Sequence, residues 1–313
     1  MGVNLKPLIE RNTVTIKELK GQIITVDAPN VLHQFLSTIR KPDGSLLTDS
    51  DGNVTSHLVG LFYRTVRLMN EFSIKPVYVF DGEMPLLKKG VIEERLKIKK
   101  EAEERLVQAR KAGNIEKALK EAVRSTHLNE QMLKDAERLL RLLGLPTVQA
   151  PGEAEAQCAY MTRDREVYAM NSRDYDSLLF GAEKLLRHLT ISTKENVEII
   201  ILEDFLKHHG ITLEQLVDMG ILIGTDYNDG VFGVGPKTSL KLIKQYDRIE
   251  NIPKKYIERL DVEFRDVRRL FLEPPTTSDY ELKFRDKDKE GLLSFLCEER
   301  GFPKDRVLNN LTK

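Results

Sequence analysis

Four times in this chain a short apolar run gives way to carboxylates. Gly21-Gln22-Ile23-Ile24-Thr25-Val26 is followed by Asp27, and Lys75-Pro76-Val77-Tyr78-Val79-Phe80 by Asp81. Thr147-Val148-Gln149 leads to Glu153 and Glu155, and Val167-Tyr168-Ala169-Met170 to Asp174 and Asp176. Short β-prone runs separated by helical stretches, such as the one from Glu153 to Arg163, predict βαβ units and a mostly parallel sheet. In such a sheet the carboxyl ends of the strands share one edge, where ligands bind, so acids distant in sequence converge there. Convergent carboxylates repel one another and call for cations.

A plainer reading exists for each pair. Pro151-Gly152-Glu153 can simply open a helix, with Glu153 and Glu155 complementing its dipole. Residues two apart on a regular helix point to nearly opposite sides, so a shared site requires each pair to sit at a strand end or turn. Recurrence of the pattern is what favours the convergent reading.

The chain has 313 residues, enough for one large α/β domain with additions, and a charged fraction of 31% with zero formal net charge. Zero net charge does not exclude nucleic acid, since an acidic metal site would offset a basic face elsewhere. Cys158 and Cys297 are far apart and lack metal-ligand spacing, which suits a reducing compartment. No apolar run approaches the roughly 20 residues of a membrane span, and the amino end lacks the apolar segment of a signal peptide. The expectation is a cytoplasmic or nucleoid-associated protein, nuclear in a eukaryote, with no membrane partner and not secreted.

After Asp27, Ala28-Pro29-Asn30 turns into a helix whose Val31, Leu32, Phe35, Leu36 and Ile39 face a core and which closes with Arg40. A second helix, from Thr55 to Glu71, carries Arg64 and Arg67. These arginines are candidate phosphate contacts, with a solvated basic face as the alternative. Residues 86–143 hold little Gly or Pro and much Lys, Arg, Glu and Leu, the composition of long helices broken near Ala112-Gly113-Asn114. We read this stretch as a helical insertion or arch. Lys88 and Arg95 lie seven residues apart, so a helix covering both puts them on one face; ordinary pairing with Glu93 and Glu94 is the alternative.

Further on, Leu185-Leu186-Arg187 and the run from Val197 to Leu202 are expected strands, followed by a helix from Thr212 to Ile223 and by Asp226. Tyr227-Asn228-Asp229-Gly230-Val231-Phe232-Gly233-Val234-Gly235-Pro236-Lys237 is a glycine-rich hairpin running into a helix opened by Pro236. Glycines there let backbone amides approach phosphate at a helix amino end. The order helix, hairpin, helix separates it from a dinucleotide fingerprint, which follows a strand. From Glu250 onward the sequence speaks only of packing.

Together VDAPN, VYVFDG, QAPGEAEAQCAY, SRDYDSLLFG and GTDYNDGVFGVGPK resemble, in order and spacing over nearly the whole chain, the blocks of the archaeal and eukaryotic flap endonuclease family. The resemblance implies an α/β fold with a PIN-like, mostly parallel central sheet flanked by helices, a helical arch insertion and a helix-hairpin-helix DNA-binding element. It implies one nuclease domain over 1–313: the start of the core in 1–85, the arch in 86–143, the rest of the core in 144–226, the helix-hairpin-helix in 212–250 and a helical end in 251–313. Asp27, Asp81, Glu153, Glu155, Asp174, Asp176 and Asp226 would hold two Mg²⁺ ions, with Mn²⁺ as a substitute, and Lys88 and Arg95 would be catalytic. Gly2, His33, Arg40, Arg64, Arg67, Gly233, Gly235 and Lys237 would touch DNA, with K⁺ at the hairpin. His33 stands where the family carries tyrosine. The implied activity is 5′ flap endonuclease and 5′–3′ exonuclease action on flap or junction DNA in replication and repair. A sliding clamp (PCNA) is the implied partner, although the family's glutamine-and-aromatic clamp box is not found in this sequence. A non-catalytic DNA-junction binding module and a PIN-type ribonuclease are the alternatives.

Overall fold

Along the strand at Lys75–Phe80 the side chains alternate between two cores: Val77 and Val79 join one, Tyr78 and Phe80 the other. A strand apolar on both faces belongs inside a sheet that is covered on both sides. The computed structural model describes residues 2–312 apart from Arg11, Leu86, Leu87, Arg165 and 191–195, and it leaves undescribed the side chains of 89–96, Arg110, Ile115 and Arg124. Its strands are β1 (Asn12–Thr15), β2 (Ile23–Asp27), β3 (Lys75–Phe80), β4 (Thr147–Gln149), β5 (Ala169–Asn171), β6 (Lys184–Arg187) and β7 (Asn196–Ile201). Its helices are α1 (Ala28–Thr38), α2 (Ser56–Phe72), α3 (Lys88–Lys111), α4 (Ile115–Arg124), α5 (Glu130–Leu142), α6 (Ala154–Arg163) and α7 (Asp176–Leu179), then α8 (Leu202–His209), α9 (Leu213–Ile223), α10 (Pro236–Tyr246), α11 (Lys254–Ile257), α12 (Phe264–Leu272), α13 (Lys289–Leu293) and α14 (Lys304–Leu311).

The sheet order is β1-β7-β6-β5-β2-β3-β4. Strands β6, β5, β2, β3 and β4 are parallel, whereas β7 pairs antiparallel with both β6 and β1. From β2 the chain steps outward to β3 and β4, then returns to β5 on the other flank of β2. That reversal opens a crevice beyond the carboxyl ends of β2 and β5, the place where open α/β sheets bind ligands. No helix among the described residues is long and apolar enough to cross a membrane.

Most expected elements fall within a residue or two of their sequence signals. The fourth strand is shifted: it runs Ala169–Asn171 rather than 167–170, because Asn171 pairs with Val26 on one side and Leu186 on the other. Strand β1 gave no apolar signal, since Asn12, Thr13 and Thr15 are exposed on the sheet's edge.

Helices α6, α7, α9, α10 and α12 cover one face of the sheet. On the other, α1, α2, α5, α13 and α14 pack around Phe35, Phe62 and Phe295. Arg268 of α12 holds the fully buried carboxylate of Asp218 on α9 through bonds of 2.7 and 2.9 Å and reaches Glu250 through two more of 2.7 and 2.9 Å. The helix that leads into the glycine-rich hairpin is thereby anchored.

On α2, His57 is fully buried and neither ring nitrogen has a hydrogen-bond partner. Burial, reinforced by nearby Arg300 and opposed by Asp135, pushes its pKa down from 6.5 to about 4. A depressed base pKa means the unfolded chain binds the proton first, so this contribution to stability is intact above about pH 6.5 and is lost as pH falls through about 4. At about 1.36 kcal/mol per pH unit, the loss is about 3 kcal/mol. We expect His57→Leu to be more stable than the parent by about 1–2 kcal/mol at neutral pH, since it removes two unpaired polar atoms. The gap should widen between pH 6.5 and 4. Urea unfolding of both proteins across that range checks this, and parallel stability curves would contradict it.

Candidate metal centre and nucleic-acid interface

Each acid reaches the crevice by a local device. Asp27 ends β2 and caps α1, accepting the Asn30 amide N–H at 2.8 Å. Asp81 follows β3 and accepts the Ala154 N–H at 2.8 Å, so it caps α6 from outside. Glu153 is itself the residue before α6, in extended backbone, yet its side chain makes no cap. It instead accepts hydrogen bonds from the Lys88 ammonium and the Tyr227 hydroxyl. This extended residue, followed by the first turn of α6, is what lets Glu153 and Glu155 face one site despite their two-residue spacing.

Glu155 accepts from the hydroxyls of Ser172 and Ser177, while Asp174 accepts the Asn30 side-chain amide at 2.8 Å. Asp176 opens α7 and accepts the Val3 N–H. The amino end thus lies against the cluster: a Cβ added to Gly2 would sit 3.1 Å from the Asp176 carboxylate. Asp226, after α9, stands 3.8 Å from the Lys88 ammonium.

The electrostatics join these groups into one unit. Burial, then Asp81 and Asp174, push the Asp27 carboxyl up to about 8. Burial, then Asp226 and Asp174, push Asp176 to about 7. Glu155 is raised by burial and by Asp174, Asp176 and Asp27, and Asp81 by burial and Glu153. Lys88 is opposed by burial but raised by Glu153, Asp226 and Glu155, so it stays charged.

Among the described residues no three acids close on one point as a finished coordination cage; each has turned to a nearby N–H, O–H or ammonium donor. The donor set nevertheless fits divalent metal. It is all carboxylate oxygen, the preference of Mg²⁺ and Mn²⁺, and its buried members are pushed toward neutrality by burial first and by their acidic neighbours second, both of which a bound cation would offset.

Lys88 opens α3, and Arg95, on the same helix, falls outside the described side chains. His33 lines a cavity of about 350 Å³ with Pro29, Asp81, Leu133 and Gln149. Arg40 bonds the Gly44 carbonyl at 2.9 Å and the Thr126 hydroxyl. Arg64 and Arg67 stay on α2, where Arg67 pairs with Glu71 at 3.0 Å and lies over the Phe72 ring. Among the described residues, the contacts given above for the acid cluster include neither of these two arginines.

In the hairpin, Gly233 has φ +84°, a conformation that favours glycine. Gly235 has an ordinary φ of −91° and open space where a Cβ would go, so nothing in the protein itself demands glycine there. Lys237 lies in the first turn of α10. Phe232 stands at the tip, 90% exposed between the buried Val231 and Val234.

Sequence reasoning passed over Asn30, Ser177, Tyr227 and Phe232. Asn30 and Tyr227 had a usable signal, since each lies within a few residues of an acid at an element boundary. Burial, then Glu153, raise the Tyr227 hydroxyl far above its usual range, so it acts only as a donor. Tyr227→Phe should leave the buried Glu153 carboxylate short of one partner and destabilise the protein by about 1–3 kcal/mol. Urea unfolding in metal-free buffer tests this; unchanged stability would mean the bond contributes nothing.

Two family models match the chain, the XPG N-terminal domain over residues 1–102 and the XPG I-region over residues 144–226. Flap endonuclease 1 of Methanopyrus kandleri is 50% identical to it, the match covering 98% of this chain and 92% of that protein. The solved structure of flap endonuclease-1 from Methanococcus jannaschii superposes with a TM-score of 0.80 at 38% identity, over 99% of this chain and 97% of that one. The catalytic core of Rad2 in complex with DNA substrate superposes with a TM-score of 0.77 at 25% identity, over 98% and 96% of the two chains.

Proposed function

The chain belongs to the flap endonuclease family, and from that premise we propose that it hydrolyses DNA phosphodiester bonds at 5′ flaps and related junctions, using two Mg²⁺ ions. The observation that carries the proposal is the convergence of Asp27, Asp81, Glu153, Glu155, Asp174, Asp176 and Asp226 around Lys88 at the carboxyl edge of one sheet. A protein that only bound DNA would gain nothing by burying like charges together, and would face a phosphate with a repelling surface.

When bound, the ions would supply an activated water and charge neutralisation at the scissile phosphate. The protein's own groups do the rest. Asn30, the Val3 amide and Ser177 hold Asp174, Asp176 and Glu155 in fixed directions. Lys88, protonated and tethered between Glu153 and Asp226, places a positive charge where negative charge develops on phosphoryl oxygen. The geometry offers Lys88 two carboxylates to exchange for one phosphate.

The hairpin supplies affinity without sequence. Bare backbone at Gly233 and Gly235, the amino end of α10 and Lys237 suit a duplex phosphate, and K⁺ at the loop would offset the phosphate charge. Action on chromosomal DNA would go with a location in the cytoplasm or nucleoid, or in the nucleus of a eukaryote.

Incubation of labelled 5′-flap DNA with and without Mg²⁺, beside a matched single strand and an RNA hairpin, tests the activity. Cutting should require Mg²⁺ and favour the flap. Asp174→Ala should lower single-turnover cleavage by several orders of magnitude with flap affinity nearly unchanged. Near-normal cutting by that variant would refute the two-metal reading, and preference for the RNA hairpin would point to a ribonuclease instead.

Gly235→Val should fold normally, because its Cβ has space and its φ is ordinary. It should weaken binding to flap and plain duplex alike and flatten the salt dependence. Fluorescence anisotropy at several salt concentrations measures both, and a loss confined to flaps would contradict the assignment.

A further inference from the structure

Arg187 is the last residue of β6, and its backbone neighbour Leu186 accepts the Ser172 N–H at 3.2 Å. The end of β6 is therefore level with the turn that carries Asp174 and Asp176. The guanidinium crosses to that turn and binds it twice: Nη2 donates to the Arg173 carbonyl at 3.0 Å, and Nη1 donates to the Tyr175 hydroxyl at 2.7 Å. It also lies over the Tyr175 ring, 4.2 Å from the centroid. These two residues alternate with the acids, one immediately before Asp174 and the other immediately before Asp176.

Behind it, Glu198 lies directly opposite on β7 and accepts from Nη1 at 3.3 Å. The remaining nitrogen, Nε, is buried without a partner. A guanidinium 14% exposed with one N–H unpaired is a poor way to stabilise a fold. The same three contacts are a good way to fix a turn, because a planar fork and a ring stack restrict both its height above the sheet and its rotation.

We infer that Arg187 is a positioning residue for the metal centre: by gripping residues 173 and 175 it sets the direction in which Asp174 and Asp176 present their carboxylates. The inference rests on the reading of those acids as metal ligands. It assigns Arg187 no contact with DNA or with metal. Outer groups that orient metal ligands typically contribute 10-fold to 100-fold in metal affinity or activity.

The test uses Mn²⁺ binding by the full-length protein without DNA, followed by electron paramagnetic resonance of the free ion, together with single-turnover flap cleavage across an Mg²⁺ titration. Arg187→Ala should weaken Mn²⁺ binding about tenfold or more and raise the half-saturating Mg²⁺ concentration by a similar factor. Its flap affinity in Ca²⁺ should stay unchanged. Arg187→Lys, which keeps the charge but loses the fork, should fall between. Glu198→Gln removes the carboxylate behind the clamp and leaves the turn contacts, so it should bind Mn²⁺ within about twofold of the parent.

Asp174→Ala, run alongside, separates the two claims. If it keeps parental Mn²⁺ affinity, the acids are not a metal site and both readings fall. If it loses Mn²⁺ while Arg187→Ala does not, only the positioning role falls. Equal losses in Arg187→Ala and Glu198→Gln would likewise overturn it, since the ion pair rather than the grip on the turn would then be responsible.

Discussion

Repulsion among buried carboxylates is the constraint on which the rest of this structure depends. A parallel sheet delivers Asp27, Asp81, the Glu153 pair and the Asp174 pair to one edge whether or not their charges agree. The fold holds them there with packing on both faces, and it gives each one or two nearby donors: Asn30, the Ala154 and Val3 amides, Ser172, Ser177, Tyr227 and Lys88. What these donors do not remove is the cost of burying acids side by side: burial first, then neighbouring carboxylates, push Asp27 and Asp176 toward neutrality. Such a site spends stability on charge density, which is useful only where cations and a phosphate arrive together.

The elements around the crevice follow from that requirement. The first turn of α3 brings Lys88 to the cluster, where its ammonium meets Glu153 and Asp226. The start of the chain is drawn in by the Val3 amide. On the far side, α9 is pinned by the Arg268 clamp on Asp218, and it carries both Asp226 and the glycine-rich hairpin. The chain that leaves this anchored helix therefore runs from an acid of the cluster straight into the loop suited to holding duplex.

Much of this was legible before any coordinates. A strand that ends in an acid is a local signal, and its recurrence specifies both a parallel sheet and the edge where the acids meet. The glycine-rich hairpin was equally local, since Gly233 needs its φ of +84° and Pro236 opens α10. What stayed hidden depends on contacts between distant segments. Arg187 looks like any basic residue closing a strand until β6 is set beside β5, and His57 looks like an ordinary histidine until the fold buries it near Asp135 and Arg300. Strand β1, Asn12–Thr15, has almost no apolar residues because it lies on an edge, so periodicity could not find it.

If charge repulsion is the price of the site, stability and metal must be linked through these acids. The most direct measurement is the melting temperature of the parent and of an Asp27→Asn, Glu155→Gln double variant, each as a function of free Mg²⁺ at fixed pH. The account predicts that the parent melts at progressively higher temperature as Mg²⁺ rises, since the ions bind only the folded state. The double variant should melt higher than the parent without metal and gain little from it. A parent insensitive to Mg²⁺, or a variant that responds as strongly, would contradict the claim that these buried carboxylates are held together for cations.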